Sequence, residues 1–394
     1  MSNETLSKFV LLPELHLINV KAWGSQGYYW CVKEPTTEYC PRCAKPSDRV
    51  HDLRRVAIKD APIRGHGILL YITKRRLWCK PCGKPFTEKL PGIRKGKRHT
   101  ERYQQAVTWA AENFSDLKRV RVAYKCSASF LYQAYYSRLE RKRKEKLNYA
   151  WNTTIGIDEH SFKRCPKTGQ TQFVSMIVDY NNRRVRELVL GKTCDDLVRD
   201  LAHILGRENV KNVVIDMRDP FKKFAREFFP NTILIADKFH VLRLLSGSIL
   251  RRRKEITGDR ANARARRLLL MSAHKLDYSH KHALLEFLKN YPELAELYSW
   301  KERLHGFYRI KGYNRAVIAF THMTDAMAHS QLQEIKTLRR TLLKWREEIL
   351  NYFKTGLTNA RTEGFNNKAK VVKRMGYGYK QFRNYRLKVL TACA

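Results

Sequence analysis

Two aspartates stand at the ends of apolar runs that are typical of β-strands. Asp158 follows the run 153–157, which we expect it to close, and Asp216 follows Val213-Val214-Ile215. Neighbouring strands lie about 4.8 Å apart, so carboxylates at two such strand ends can reach the same cations. Cleavage of phosphodiesters by two metal ions requires that arrangement, with the ions roughly 3.5–4 Å apart. The spacing therefore predicts that Asp158 and Asp216 bind catalytic Mg²⁺ or Mn²⁺.

A third carboxylate is expected from a helix near the end of the sequence. Four polar residues recur there at i, i+3, i+4 and i+7, the spacing of one helix face: Glu363, Asn366, Asn367 and Lys370. Such a stripe is usually a solvated surface, so its interpretation depends on the aspartates upstream. Together with them, Glu363 completes a set of three carboxylates.

Asp237 is an alternative metal ligand, because it follows the run Leu234-Ile235-Ala236 as Asp216 follows its own strand. We prefer Asp216, since the strand before Asp237 is expected one position further from the strand of Asp158. Asp237 and His240 would then flank the site, although a histidine packed at the start of a helix is equally compatible with the pattern. Four other acids are interpreted as strand-end or helix-capping residues: Glu159, Asp179, Asp195 and Asp196.

The cysteines predict a second metal site. Two Cys-x-x-Cys pairs are separated by 35 residues, enough chain for hairpins that return to the first pair: Cys40 and Cys43, then Cys79 and Cys82. Four thiolates can hold one tetrahedral zinc, whereas redox use typically shows one pair in a strand-helix context. Four unligated core cysteines are the weaker alternative, and Cys31 is interpreted as core. Nine cysteines and a start without an apolar leader predict a reducing, cytoplasmic setting.

The order of secondary structure predicts how the carboxylates are positioned. Three β-rich runs from residue 153 to 190 precede a helix capped by Thr193, a fourth strand at 210–215, a helix at 219–229 and a fifth strand at 232–236. This order is that of a ribonuclease H-like domain. Residues 241–353 are helix-prone throughout, which predicts an α-helical insertion.

A basic connector precedes three short helical segments between residues 100 and 136. We expect Thr100 and Ser115 to cap the first two helices, and three such helices fit a helix-turn-helix motif that binds the major groove. Small three-helix packing without DNA contact is the alternative. The basic run 138–146 is interpreted as a solvated, phosphate-facing linker. The connector supplies four candidate DNA-binding cations: Arg94, Lys95, Lys97 and Arg98.

The overall charge favours a polyanionic partner. Lys and Arg number 78 against 37 Asp and Glu, a formal net charge of +41. Neutralising phosphates with such cations releases condensed counterions, which favours nucleic-acid binding. A small ribosomal protein would rarely need an apolar fraction of 43%. A membrane-surface protein would need an amphipathic anchor, which the sequence lacks, and no run approaches a membrane span.

The motifs together resemble the ISL-three family of bacterial insertion-sequence transposases. The resemblance runs from about residue 38 to the C-terminus and rests on the Cys-x-x-Cys pairs, GIDEHSF, IADKFHV, NARTEGFNNKAKVVKRMGYGY and FRNYRLKVL. It implies an α+β multidomain protein in five segments: a zinc-binding region (1–93), a helix-turn-helix with basic linker (94–150), a ribonuclease H-like catalytic domain (151–240), an all-α insertion (241–354) and the catalytic C-terminal helices (355–394).

The resemblance also implies roles for individual residues. Asp158, Asp216 and Glu363 take the positions of the catalytic triad, with Asp158 touching both metal ions. Lys370 and Lys373 would hold phosphate. Two asparagines would orient Glu363 or contact the DNA strand: Asn366 and Asn367.

The implied partners are the terminal inverted repeats and the target, both double-stranded DNA, bound by at least a homodimer associated with the bacterial nucleoid. The competing hypotheses are an inactive, zinc-bearing helix-turn-helix regulator and a simple nuclease without transposition.

Overall fold

In the computed structural model, which describes residues 15–90, 92–114, 116–164, 168–258 and 263–394, the chain divides into two compact units, residues 1–141 and 142–394. The strands of the first unit are β1 (Leu15–Trp23), β2 (Gln26–Lys33), β3 (Glu38–Tyr39), β4 (Pro46–Ser47), β5 (Val50–Ile63), β6 (His66–Cys79) and β7 (Lys84–Thr87). Its larger sheet has the order β1-β2-β6-β5 with β7 beside β6, and β3 pairs with β4. Cys31 is buried in this sheet's core, as predicted.

Three helices follow in the first unit: α1 (Glu101–Asn113), α2 (Leu117–Ala123) and α3 (Ala128–Leu147), the last of which continues past its boundary. Thr100 caps α1 as predicted, because its side chain accepts the N–H of Tyr103. Ser115 lies outside the described residues, and Asp116 caps α2. The run 138–146, interpreted as a linker, is instead the second half of α3.

The second unit is built on one five-stranded sheet. Its strands are β8 (Thr154–Arg164), β9 (Thr171–Asp179), β10 (Arg184–Leu190), β11 (Asn212–Ile215) and β12 (Ile233–Ala236). The sheet order is β10-β9-β8-β11-β12. β9 is antiparallel to both of its neighbours, whereas β8, β11 and β12 are parallel. The three parallel strands therefore run toward the same edge of the sheet, where β11 and β12 end.

Helices cover both faces of this sheet. The connecting helices are α4 (Cys194–Leu201) and α5 (Asp219–Phe228), and after β12 come α6 (Lys238–Leu242), α7 (Ser246–Thr257), α8 (Ala263–Leu270), α9 (Tyr278–Lys289), α10 (Pro292–Phe307), α11 (Tyr313–Ala328), α12 (Gln333–Lys344), α13 (Arg346–Thr355), α14 (Ala360–Met375) and α15 (Phe382–Ala392).

Alternate residues of each strand face opposite sides of the sheet, which separates the two cores. Ile157 and Ile215 point into the core formed with α4, α5 and the helices that follow β12. Val178 and Val214 point into the core formed with α14 and α15. The helix that carries Glu363 thus packs on the face opposite the large helical block.

Candidate active site and zinc site

The four cysteines of the two Cys-x-x-Cys pairs converge in the first unit. One pair lies in the turn between β3 and β4, and the other lies where β6 turns into β7. Cys43 Sγ is 3.5 Å from Cys79 Sγ and Cys40 Sγ is 4.0 Å from Cys82 Sγ, and all four sulfurs lie within 4.8 Å of one another. A zinc tetrahedron with Zn–S bonds of about 2.3 Å has edges of about 3.8 Å. The thiolates therefore fit one zinc ion.

The backbone of the turn between β3 and β4 stabilises the thiolate form of Cys40. The N–H groups of Arg42 and Cys43 point at the sulfur of Cys40 and lower the pKa of that thiol to about 6. A thiolate is the form that binds zinc, so this turn favours the ligand before any metal arrives.

The register of the parallel strands aligns three aspartates. Ile157 pairs with Ile215, and Ile215 pairs with Ala236, so the next residue of each strand lies at the same level. Those residues are Asp158, Asp216 and Asp237. They form a row along the edge where β11 and β12 end.

Asp158 differs from the prediction in one respect, because it does not close its strand. β8 continues to Arg164, since β9 goes on pairing with it beyond the point where β11 stops. Asp158 therefore sits within a continuous strand, which holds its backbone more firmly than a strand end would.

Two of the aspartates and a histidine form a tight cluster. Asp216 and Asp237 are 4% and 2% exposed. The Nδ1 atom of His240 lies 3.0 Å from Asp216 Oδ1 and 3.0 Å from Asp237 Oδ2. Ligand atoms of all three residues lie within 4.8 Å of one another, so the cluster is compatible with a cation. Asp237 and His240, which were predicted to flank the site, thus lie directly beside the predicted metal ligand Asp216.

The environments of the two buried carboxyls shift their pKa values in opposite directions. Burial and the neighbouring charge of Asp158 raise the pKa of Asp216 to about 8. Burial alone would raise the pKa of Asp237 too, but hydrogen bonds from His240 and from the backbone N–H of Asn359 bring it below its ordinary value. Of these two carboxyls, Asp216 is therefore the one whose ionisation the protein opposes more. A cation bound beside it would stabilise its ionised form.

Asn359 joins the aspartate row to the start of α14. Its backbone N–H donates to Asp237 Oδ1 at 3.0 Å, and its side-chain Nδ2 lies 3.3 Å from both Asp216 Oδ1 and the carbonyl oxygen of Ile157. The carbonyl of Asn359 accepts the N–H of Glu363 at 2.9 Å. One buried asparagine therefore connects both acids with the first turn of the helix that bears Glu363.

A glycine allows α14 to approach the sheet. A Cβ atom on Gly156 would lie 2.2 Å from Thr362 Oγ1 and 2.5 Å from Cε1 of Tyr180. The Tyr180 hydroxyl lies 3.0 Å from that same Thr362 oxygen and donates to the carbonyl of Thr358 at 2.9 Å. Only a residue without a side chain lets the helix start lie directly over β8.

The residues of the predicted polar face of α14 differ in burial. Asn366 is 3% exposed and donates from Nδ2 to Asp158 Oδ2, so it contacts an aspartate rather than Glu363. Glu363, Asn367 and Lys370 are exposed, and Glu363 is not part of the cluster of ligand atoms found among the described residues. Lys373 donates to the carbonyl of Ser161 at 3.1 Å.

The remaining acids have structural roles. Glu159 pairs with Arg218 at 2.8 Å. Asp179 is fully buried and accepts hydrogen bonds from Tyr149 and Asn152. Asp196 completes a capping box at the start of α4, where Asp195 also lies in the first turn. The four cations of the connector are exposed in the first unit: Arg94, Lys95, Lys97 and Arg98.

Comparison with known proteins identifies the family. The sequence model of the DDE transposase family ISL3 matches residues 155–389, well over half of the chain. The chain belongs to the ISL3 family of DDE transposases. Its first unit also matches the zinc-finger of the transposases of IS204, IS1001, IS1096 and IS1165 over residues 36–82, which includes all four cysteines.

A curated relative supports the same membership of the ISL3 family. The transposase for insertion sequence element IS1001 from Bordetella parapertussis is 24% identical over 370 residues, which cover 90% of this chain and 88% of that protein. The protein is therefore a DNA transposase, and the regulator hypothesis is not favoured. Among the described residues, every helix is too short or too polar to span a bilayer.

Some site residues of this ISL3 transposase were not found by sequence reasoning. Asn359 and Gly156 act through tertiary contacts between segments about 200 residues apart, and periodicity carries no signal for such contacts. Asn359 lies within the NARTEGFNN motif, so its place just before the Glu363 helix was the one available hint.

Proposed function

We propose that this transposase binds the terminal inverted repeats of its insertion sequence and catalyses metal-dependent DNA cleavage and strand transfer in a ribonuclease H-like domain. The strand order β10-β9-β8-β11-β12, with three antiparallel strands followed by two parallel ones, supports that fold assignment. The helices between β12 and α14 are then the insertion.

The crowding of Asp158 against Asp216 is the observation that carries the proposal. The two carboxyls stand at one level on adjacent parallel strands, and the pKa of Asp216 is raised to about 8 by burial and by Asp158. A fold gains no stability from two apposed carboxylates, whereas divalent cations bind them well. We therefore assign these residues as ligands of Mg²⁺ or Mn²⁺.

Glu363 is the proposed third ligand. Asn359, the N-cap residue of α14, and Asn366, within α14, both contact the aspartate row and lie four residues before and three residues after Glu363. Residues at i, i+4 and i+7 share a helix face, so Glu363 lies between two contacts with the site. Its exposure leaves it accessible to a metal and to DNA.

Two ions bound by Asp158, Asp216 and Glu363 would lower the pKa of an attacking water and stabilise the leaving 3′ oxygen. The chain's own residues hold the carboxylates for this chemistry. Asp237 and His240 support Asp216, because the hydrogen bond between them fixes the imidazole 3.0 Å from Asp216 Oδ1. The released 3′-OH would attack target DNA by the same in-line displacement.

DNA recognition is assigned to the first unit. Helices α1 to α3 supply a helix-turn-helix, with α3 in the major groove, and the zinc ion bound by the four cysteines stabilises the adjoining strands. The exposed connector cations would contact phosphate there, and Lys370 and Lys373 would do so beside the active site. Because two element ends must be joined, we propose at least a dimer, working on the nucleoid in the bacterial cytoplasm.

An excision assay tests the proposal. A supercoiled plasmid carrying the gene with its native flanking DNA is incubated with the full-length protein and Mg²⁺, and the cut positions are mapped. Wild-type protein should release the element at its inverted repeats, and Asp158→Asn should not. Cuts with no preference for the element ends would instead indicate a simple nuclease. No cutting by wild-type protein at any Mg²⁺ or Mn²⁺ concentration would overturn the assignment.

A further inference from the structure

A continuous chain of hydrogen bonds leads from Asp158 into the core beneath the site. Asn366 Nδ2 donates to Asp158 Oδ2, Asn366 Oδ1 lies 2.9 Å from His160 Nδ1, and His160 Nε2 lies 2.7 Å from the Tyr385 hydroxyl. The four residues come from β8, α14 and α15. Of these four hydrogen-bonded residues, the mechanism proposed above uses only Asp158.

The donor and the acceptor of each hydrogen bond can be assigned in turn, starting from the Asp158 carboxylate. An ionised Asp158 only accepts, so Asn366 must turn its NH₂ toward it and its carbonyl oxygen toward His160. His160 Nδ1 must then carry a proton. A neutral imidazole has one donor and one acceptor, so Nε2 accepts from the Tyr385 hydroxyl.

The residues of this hydrogen-bond chain are buried, so water cannot take the place of a lost partner. Asn366 is 3% exposed, His160 is 4% exposed and Tyr385 is fully buried. The Tyr385 ring also stacks on Phe162 with a centroid separation of 5.2 Å, which fixes the hydroxyl in place. A buried polar chain of this kind is rigid when each group has its partner and costly when one partner is lost.

Asp158 needs such support because it faces another carboxyl. Its Oδ1 atom accepts the backbone N–H of Glu159 at 2.7 Å, and its Oδ2 atom accepts from Asn366. Donors on both oxygens fix the rotation of the carboxylate beside the neighbouring Asp216.

We propose that Asn366, His160 and Tyr385 form a positioning relay that holds the Asp158 carboxylate in the orientation required to bind the catalytic metal. The inference rests on the proposed function. None of the three residues needs to touch metal or DNA, and each acts through the next. Loss of a partner behind a metal ligand typically weakens metal binding about 10–100-fold.

Tyr385→Phe is the direct test, because it removes only the last hydroxyl. The readouts on full-length protein are the Mn²⁺ concentration that gives half of the Mn²⁺-induced rise in Tm, and the Mn²⁺ dependence of plasmid cleavage. We expect both midpoints to rise about tenfold, with cleavage at saturating Mn²⁺ within about threefold of wild type. Tyr149→Phe is the matched control. It removes a hydroxyl bonded to Asp179, which pairs with Ile155 three residues back along β8.

A double-mutant cycle separates a relay from general loss of packing. Asn366→Leu keeps the approximate size of the side chain and breaks the chain at Asp158, and it should raise the Mn²⁺ midpoint at least as much as Tyr385→Phe does. Adding Tyr385→Phe to Asn366→Leu should then raise the midpoint no further, whereas independent structural effects would add.

Equal Mn²⁺ midpoints for Tyr385→Phe and Tyr149→Phe, or full additivity in the cycle, would overturn the relay while wild-type cleavage stood. Absence of both cleavage and a Mn²⁺ response in wild-type protein would overturn the proposed function and the relay with it.

Discussion

The two sites of this transposase collect their ligands in different ways. The zinc site takes four thiols from two short turns of one small unit, each pair separated by two residues. The proposed catalytic site takes Asp158 and Asp216 from adjacent strands and Glu363 from a helix that follows the whole helical block. The first depends on local backbone geometry, and the second depends on the packing of the entire second unit.

The electrostatics of the two sites are alike in one respect and differ in another. Backbone N–H groups stabilise the Cys40 thiolate, so the turn favours its charged form by itself. Burial and the neighbouring Asp158 raise the pKa of Asp216, so the fold disfavours its ionised form. The contact with Cys43 and burial raise the pKa of Cys82 to about 12, and burial raises the pKa of Cys79. Both sites therefore hold groups whose ionisation a bound metal would favour, and the zinc site differs in having one thiolate that its own backbone stabilises.

Zinc loss should produce the largest effect and should stay within the first unit. Cys40→Ser with Cys79→Ser should abolish zinc content and unfold the region around β3, β4 and β7, because the small cluster of Cys40, Leu77, Cys79 and Phe86 has few other apolar contacts. Bound zinc should fall from one to none by elemental analysis. Cys126→Ser, a half-exposed cysteine outside the cluster, is the control. Full zinc content in the double variant would contradict the assignment.

Gly156→Ala tests whether the carboxylate site depends on packing. The new methyl group would overlap Thr362 and the Tyr180 ring, which pushes α14 away from β8. We expect a stability loss of about 1–3 kcal/mol by urea unfolding and weaker cleavage.

Gly364→Ala on the same helix is the control for that substitution. A Cβ there meets nothing within 4 Å, so stability should hold or rise by about 0.5–1 kcal/mol. Equal behaviour of the two variants would argue against the close approach.

Asp216→Asn should stabilise the metal-free protein. A carboxyl whose folded pKa is raised to about 8 contributes stability at low pH that is lost as pH rises toward that value. Removing its charge should therefore raise Tm by a few degrees at pH 8 without divalent cations, which corresponds to about 1–2 kcal/mol, and by less at pH 5.

Asp237→Asn should have the opposite sign. The pKa of Asp237 is lowered by His240 and Asn359, so its charge contributes stability at neutral pH that is lost only on acidification. Stabilisation by both variants at pH 8 would contradict the difference between these neighbouring acids.

The smallest expected effect concerns phosphate contacts of the first unit. Lys97→Ala should weaken binding to any duplex and reduce the slope of log K against log salt by about 1, because one counterion fewer is released. Lys289→Ala, an exposed lysine at the end of α9 that pairs with Glu286, is the matched control. An unchanged salt slope for Lys97→Ala in fluorescence-anisotropy titrations would remove the connector from the DNA-binding surface.

The sequence predicted features that local pattern determines. The cysteine spacing predicted the four sulfurs that the structure brings together, and alternation with turn residues located β10 at its observed bounds. It failed where a neighbouring segment decides the outcome. β8 extends past Asp158 because β9 pairs with it, and residues 138–146 are helical although their charge resembles that of a linker.

Tertiary contacts explain the rest of what the sequence could not reveal. Nothing in the spacing of Asn366 indicates that it is buried against Asp158, while Asn367 and Glu363 on the same predicted face remain exposed. Helical periodicity defines a face, but only the packing of α14 on β8 decides which residue of that face turns inward. The relay to His160 and Tyr385 follows from that packing.

We propose that Asp216, rather than Asp237, is the second metal ligand of the catalytic site. The most direct test is the Mn²⁺ dependence of plasmid cleavage by Asp216→Asn and Asp237→Asn, with folding of both variants checked by circular dichroism. We expect no cleavage by Asp216→Asn at any Mn²⁺ concentration, and reduced but measurable cleavage by Asp237→Asn. Wild-type-like cleavage by Asp216→Asn together with complete loss in Asp237→Asn would contradict this proposal.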